Sequence, residues 1–240
     1  MRQSHKHIFT ILSVFFVTLL SVTPTYGQSA EVKATEIEIV ADEIMVEADS
    51  TAADYFVSAP LSVIPTIDKM TRMDMIDYFR AGSDRASKNR FGGDCRILED
   101  SREKIVISTS GSSEYTIALL PTSGRKLDQL IMVIRTLKAP AEDSSISFYD
   151  TDWKEVSGIF SMPLLKDWML PQAKKKNRKD VENAIPFIMA KCEYSPDNYT
   201  MTLTPNLTDY IPEEALDLAK NSIKNSIVYH WNGKRMILEK

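Results

Sequence analysis

The sequence predicts an α+β fold: an antiparallel β-meander sheet packed by a few amphipathic helices, ending in a helix followed by a β-hairpin. Three observations carry this expectation. From Asp94 onward, apolar residues alternate in short segments bounded by Ser, Gly, Asp and Pro, which is the period-two signature of strands. Before and after that region, apolar residues recur at three- and four-residue spacing, the period of an amphipathic helix. Near the C-terminal end, Asn232-Gly233 sits between two alternating runs, a strong short-range hairpin signal.

Taken in order, Ala59-Pro60-Leu61-Ser62-Val63-Ile64-Pro65 reads as an extended lead-in, because proline fixes its own φ and restrains the residue before it. Met70, Met73, Ile76 and Phe79 then form an apolar stripe, with Asp74 and Asp77 off it and Gly82 placed to cap the helix. Ile105, Ile107, Tyr115, Ile117, Leu119, Ile146 and Phe148 mark the strands of the meander. Between them Leu130 to Ile134 is continuously apolar, as a central strand covered on both faces would be. Met201 and Leu203 alternate with threonines, and Ser195-Pro196-Asp197-Asn198 turns the chain back toward residues 187–193, which makes a second hairpin. Pro212, Glu213 and Glu214 suit a helix start, followed by a stripe of Leu216, Ala219, Ile223 and Ile227. A two-residue loop at Asn232-Gly233 would set Trp231 opposite Lys234, His230 opposite Arg235 and Tyr229 opposite Met236. Tyr229, Trp231 and Met236 would then share the buried face.

The N-terminal part differs in composition. Residues 1–27 read as a signal peptide: Arg2 and Lys6 precede an apolar run from Ile8 to Val22, and Thr23-Pro24-Thr25-Tyr26-Gly27 then supplies small residues around a cleavage point. The run is about 15 residues, short of the roughly 20 needed to span a bilayer. No cysteine follows it to carry a lipid. The mature protein is therefore expected in the periplasm or outside the cell, without a transmembrane anchor. Residues 28–54 carry eight acids against Lys33, a net charge of −7, and no aromatic residue. Such a segment reads as a disordered acidic linker, since it cannot bury enough surface to offset the entropy of ordering. Residues 55–240 are expected to form a single α+β domain.

Composition and motifs exclude more than they identify. With an overall charge of −4, the leader at +2 and the linker at −7, residues 55–240 carry only +1, which gives no footprint for nucleic acid. The basic run Lys174-Lys175-Lys176-Asn177-Arg178-Lys179 reads as a solvated loop. Cys95 and Cys192 permit one disulfide in an exported protein, or two buried free thiols. His230 is the single histidine after the leader, so any Ser-His-Asp or Cys-His arrangement would have to use it, and it is read as solvent-facing. Phe91-Gly92-Gly93-Asp94 is a turn without the later glycine or lysine of a phosphate cradle. Asp150 and Asp152 beside Trp153 lack the further acids of a calcium loop. No catalytic residue, cofactor or metal site is assigned.

Pro60-Leu61-Ser62-Val63-Ile64-Pro65, Arg72-Met73-Asp74-Met75-Ile76-Asp77-Tyr78-Phe79, Phe91-Gly92-Gly93 and Tyr229-His230-Trp231-Asn232-Gly233-Lys234-Arg235 together resemble a family of uncharacterised exported proteins of Bacteroidales-type bacteria. The resemblance runs over nearly the whole folded region. It departs from the pattern in a longer acidic segment before Tyr55, and in His230 where arginine is expected. It implies an envelope location and transfers no activity. Asp49-Ser50-Thr51 also resembles the short acceptor pattern those bacteria use for O-glycosylation, which makes Ser50 a candidate glycan site. The functional expectation is a non-enzymatic binding or assembly module whose partner is an envelope protein or a glycan. The alternative is a glycan- or peptidoglycan-acting hydrolase using two carboxylates. A deep cleft with two acids about 5 to 9.5 Å apart would favour the hydrolase, and an open sheet face would favour binding.

Overall fold

The computed structural model describes residues 50–123 and 129–239. The expected signal peptide and residues 28–49 of the expected linker lie outside them. Helix α1 (Ala52–Ser58) has no counterpart in the expectation from sequence, which placed residues 52–54 in the linker and the first helix after Pro65. Thr51 caps it, its hydroxyl accepting from the Asp54 amide at 3.3 Å while its own amide donates to the Asp54 carboxylate at 2.8 Å. This reciprocal box, with Ala52 and Ala53 small enough to be buried, brings Thr51 to Asp54 out of the linker and into the fold.

Helix α2 (Lys69–Arg80) is capped by Asp68, which accepts from the Thr71 amide at 3.0 Å. Between the two helices the chain is not extended as expected. The Val63 and Ile64 amides fold back onto the Pro60 carbonyl in a turn. The expected stripe on α2 is also corrected: Met70 and Met73 are 67% and 43% exposed, and the inward face is Arg72, Met75 and Ile76. Arg72 sets this rotation. Its guanidinium is buried and donates to the carbonyls of Ile67 (2.9 Å), Phe56 (3.1 Å), Ile64 (2.9 Å) and Ala59. One side chain thus ties down the end of α1, the turn and the approach to α2.

Strands β1 (Ser87–Lys88), β2 (Asp94–Asp100), β3 (Lys104–Ser110), β4 (Ser113–Pro121), β5 (Gln129–Leu137) and β6 (Asp143–Tyr149) form one antiparallel sheet in sequential order, the expected meander. Residues Leu130 to Ile134 of β5 are buried on both faces, as their unbroken apolar run requires. On one face Ile105, Ile107, Ile117, Leu119, Ile131 and Val133 pack under α1 and α2. Ala118, Leu120, Leu130, Met132 and Ile134 belong to a separate cluster on the other face. The turn between β1 and β2 is held by Asn89, whose Oδ1 accepts from the amides of Phe91 and Gly93. A Cβ on Gly93 would lie 2.9 Å from the Asn89 amide nitrogen, so this position has no room for a side chain.

The second cluster is closed by another antiparallel sheet, ordered β10-β9-β8-β7, from β7 (Ala190–Ser195), β8 (Thr200–Pro205), β9 (Ile227–Trp231) and β10 (Met236–Leu238). Four short helices complete it: α3 (Leu165–Trp168), α4 (Pro171–Lys176), α5 (Arg178–Ala184) and α6 (Glu213–Ser222). The basic run is exposed, but it forms the end of α4 and the start of α5 rather than a loop. The α6 stripe stops at Ile223, and Ile227 already belongs to β9.

The terminal hairpin pairs Trp231 with Met236 and His230 with Ile237, around a four-residue rather than a two-residue loop. Asn232 causes the change, because its side-chain oxygen accepts from the amides of both Lys234 and Arg235. A shift of two preserves face parity. Trp231 and Met236 are buried in the second cluster, with Tyr229 packed against it. The sheets meet where β7 lies along β6, joined through side chains: the Ala190 amide donates to Asp143 and the Cys192 amide to Ser144. Among the described residues no helix is long and apolar enough to cross a membrane.

Candidate binding groove

The second sheet covers only part of the face it packs on. Its apolar contacts in the six-stranded sheet are with β4, β5 and β6, so the same face of β2 and β3 and the adjoining part of β4 lie outside that cluster. The alternation of β3 and β4 puts Lys104, Val106, Glu114 and Thr116 there, half-buried, opposite the fully buried Ile105, Ile107, Tyr115 and Ile117. β2 adds Glu99 through a bulge. Ile97 pairs with Ile107, yet Glu99 pairs with Val106, so the residue inserted between them turns the Glu99 side chain from the helix face to the open face.

β7 and β8 supply the wall. Lys191, Glu193, Thr200 and Thr202 stand on the side of their sheet away from the core, and with the floor they enclose a groove of about 450 Å³. Three acids line it and each engages a lysine. Glu99 lies 3.0 Å from Lys104, Glu193 3.2 Å from Lys191, and Glu114 2.9 Å from Lys138. Lys104 also reaches across the groove to donate to the Tyr194 carbonyl at 3.4 Å. For Lys191, partial burial works against its charge, but Glu193 and Glu142 outweigh it and raise its pKa. Burial pushes the Tyr194 phenol well up; its hydroxyl is enclosed and has no hydrogen-bond partner among the described residues.

The residues singled out from sequence lie elsewhere, apart from Cys192 at the groove's edge. Cys95 belongs to the cluster under the helices and Cys192 to the cluster between the sheets, both buried and free. The six-stranded sheet lies between them, so the disulfide considered from sequence is not formed. Burial, reinforced by Asp94, raises the Cys95 thiol to about 11, and deeper burial raises Cys192 further. Ser50 is half-buried beside the α1 cap. His230 is half-buried on the outer side of β9, its Nε2 3.4 Å from Glu239. Asp150 is used internally, accepting from the amides of Asp152 and Lys154. Next to it Trp153, at a φ of +61°, packs between Tyr149 and Tyr55 and donates to Ser58. Among the described residues no three His, Cys, Asp or Glu side chains converge to hold a metal ion.

Sequence reading missed the groove because its members are distant in the chain and Glu99 depends on a bulge. One signal was available: Lys104, Val106 and Ser108 alternate with buried isoleucines, so half of the sheet has a polar face where the other half is apolar.

The chain belongs to a family of proteins of unknown function, DUF3256, whose model matches residues 44–236. A solved structure of a domain of an uncharacterized protein from Porphyromonas gingivalis W83 is similar, with a TM-score of 0.66 at 24% identity, covering 79% of this chain and 98% of that one. At that identity the likeness concerns the fold. No curated protein matches.

Proposed function

We propose that this chain is an exported, non-enzymatic binding module of the cell envelope, and that the open groove of the six-stranded sheet holds its ligand. The observation that carries this is the pairing of every acid that lines the groove with a lysine: Glu99 with Lys104, Glu193 with Lys191 and Glu114 with Lys138. A two-carboxylate hydrolase needs an acid and a base or nucleophile held in contrasting environments. Here each acid is already engaged by an ammonium group, and the surface they make with the lysines and threonines is a lattice of hydrogen-bonding groups. Export is supported by the leader-like composition of residues 1–27. A glycan on Ser50 belongs to the same proposal, and intact mass of native-host protein against a Ser50→Ala variant tests it.

The test of the groove is site-specific photo-crosslinking in the native envelope. A crosslinking residue at Val106 should capture envelope material that one at Asp74, on α2, does not. Equal capture from both positions, or none from Val106, would overturn the assignment. So would cleavage of envelope glycan by the purified protein that is abolished in Glu99→Gln.

A further inference from the structure

We infer that the ligand of this groove is a neutral, polyhydroxylated saccharide held through its hydroxyl groups by the lysine–glutamate pairs, with Lys104 as the anchoring donor. The inference rests on the groove being a binding site and adds the chemical class of what binds.

An ammonium offers three donors and no acceptor, and a carboxylate offers acceptors only. A hydroxyl both donates and accepts, so a Lys–Glu pair presents side by side the two partners one hydroxyl needs. Two such pairs, Glu99 with Lys104 and Glu193 with Lys191, flank the groove, and Glu114 is held by Lys138. Thr116, Thr200 and Thr202 add hydroxyls between them.

Lys104 is the most enclosed of the three lysines, its side chain 16% exposed against 36% for Lys191 and 34% for Lys138. Glu99 and the Tyr194 carbonyl take two of its three N–H donors. Among the described residues nothing takes the third, which is available to an acceptor oxygen in the groove. Glu99 reaches Lys104 only because the β2 bulge turns it to this face, so the local irregularity builds this pair.

Charge then selects among ligands. An anion would meet the carboxylates of Glu99, Glu114 and Glu193, and a cation would meet the ammonium groups of Lys104 and Lys191. A neutral ligand meets neither penalty and needs no displacement of the existing pairs. Recognition here is by hydrogen bonds rather than by ring stacking, since Tyr194, the aromatic residue of the lining, is turned into the core.

The experiment is an amide-shift titration of the full mature chain with two probes in parallel: a neutral N-acetylglucosamine oligosaccharide, and a peptide of alternating lysine and glutamate. The expected result is that the oligosaccharide shifts the amides of Val106, Thr116 and Thr202, with an affinity unchanged between low and high salt, because a neutral ligand has no charge to screen. Lys104→Met should weaken it about tenfold, the loss expected for a hydrogen bond from a charged donor. Thr202→Val, at a half-buried position, should weaken it more mildly and keeps the test open should Lys104→Met perturb the fold. Shifts of the same amides by the peptide alone, or a strong salt dependence, would overturn the saccharide class and leave the groove standing. Shifts by neither probe, together with no crosslinks from Val106, would overturn both.

Discussion

The two faces of the six-stranded sheet are covered in different ways. Under α1 and α2 the apolar residues of β2 to β5 are roofed by two helices, whose junction is held by a buried polar side chain, Arg72. On the opposite face the cover is a second sheet with short helices, packed through apolar residues that reach as far as β4 and joined to β6 by Asp143 and Ser144. The contrast teaches where the fold is pinned and where it is open. A roof of two short helices and a turn carries carbonyls that water cannot reach, and a five-donor guanidinium satisfies several at once. A sheet packed on a sheet bonds most of its backbone within itself, and here Asp143 and Ser144 of β6 complete two amides of its edge strand β7. It can therefore end part-way across and leave polar side chains facing an open groove.

Replacing Arg72 should be the most damaging substitution on either face of the sheet. Arg72→Met strands the buried carbonyls of Phe56, Ala59, Ile64 and Ile67, and each unsatisfied group costs about 1–3 kcal/mol. With partial relaxation the expected loss in denaturant unfolding is about 3–5 kcal/mol. Arg72→Lys should recover little of it, because a point ammonium cannot reach carbonyls spread around a planar fork. A loss below about 1 kcal/mol for Arg72→Met would show that the roof does not depend on this residue.

The inter-sheet side should respond to volume instead. Leu203, fully buried on β8, has apolar neighbours, so Leu203→Ala should cost about 3 kcal/mol through the cavity it leaves. Leu203→Met, which keeps volume, should cost less than about 1.5 kcal/mol. If Leu203→Met proved as harmful as Leu203→Ala, the cover on this face would be held by something other than filling.

The comparison also explains what the sequence made legible. The meander, the β7–β8 hairpin and the helix before the last hairpin are local patterns, so periodicity and turn residues reveal them. The α2 stripe misled because Met70 and Met73 are apolar yet outward, whereas the buried position is an arginine whose partners are carbonyls. Backbone carbonyls exist in every sequence, so nothing in the residue pattern marks which ones will need a donor. The groove depends on a bulge at one strand and on where another sheet stops, and both are decided by tertiary packing. The hairpin faces were legible because parity survives a shift of two residues, while the register was not, because one asparagine side chain widened the loop.

The smallest expected effect concerns the two thiols, one on each side of the sheet. Separated by the sheet, Cys95 and Cys192 should both resist alkylation in the native protein and both react once it is unfolded without reductant. An unreacted pair after unfolding would mean a disulfide, and the two faces would have to be drawn differently. The pH dependence sharpens this. Burial and Asp94 raise the Cys95 thiol from an ordinary 9.0 to about 11. Above 9 the unfolded chain loses this proton while the folded chain keeps it, so the unfolded state binds fewer protons and stability falls as pH rises. The contribution is complete below 9 and is lost progressively up to about 11. Just above 9 the loss is a fraction of a kcal/mol, and it should appear as a steeper fall of the melting temperature in wild type than in Cys95→Ala across that window. Parallel curves for the two proteins would mean that the Cys95 thiol is not sequestered under the helices.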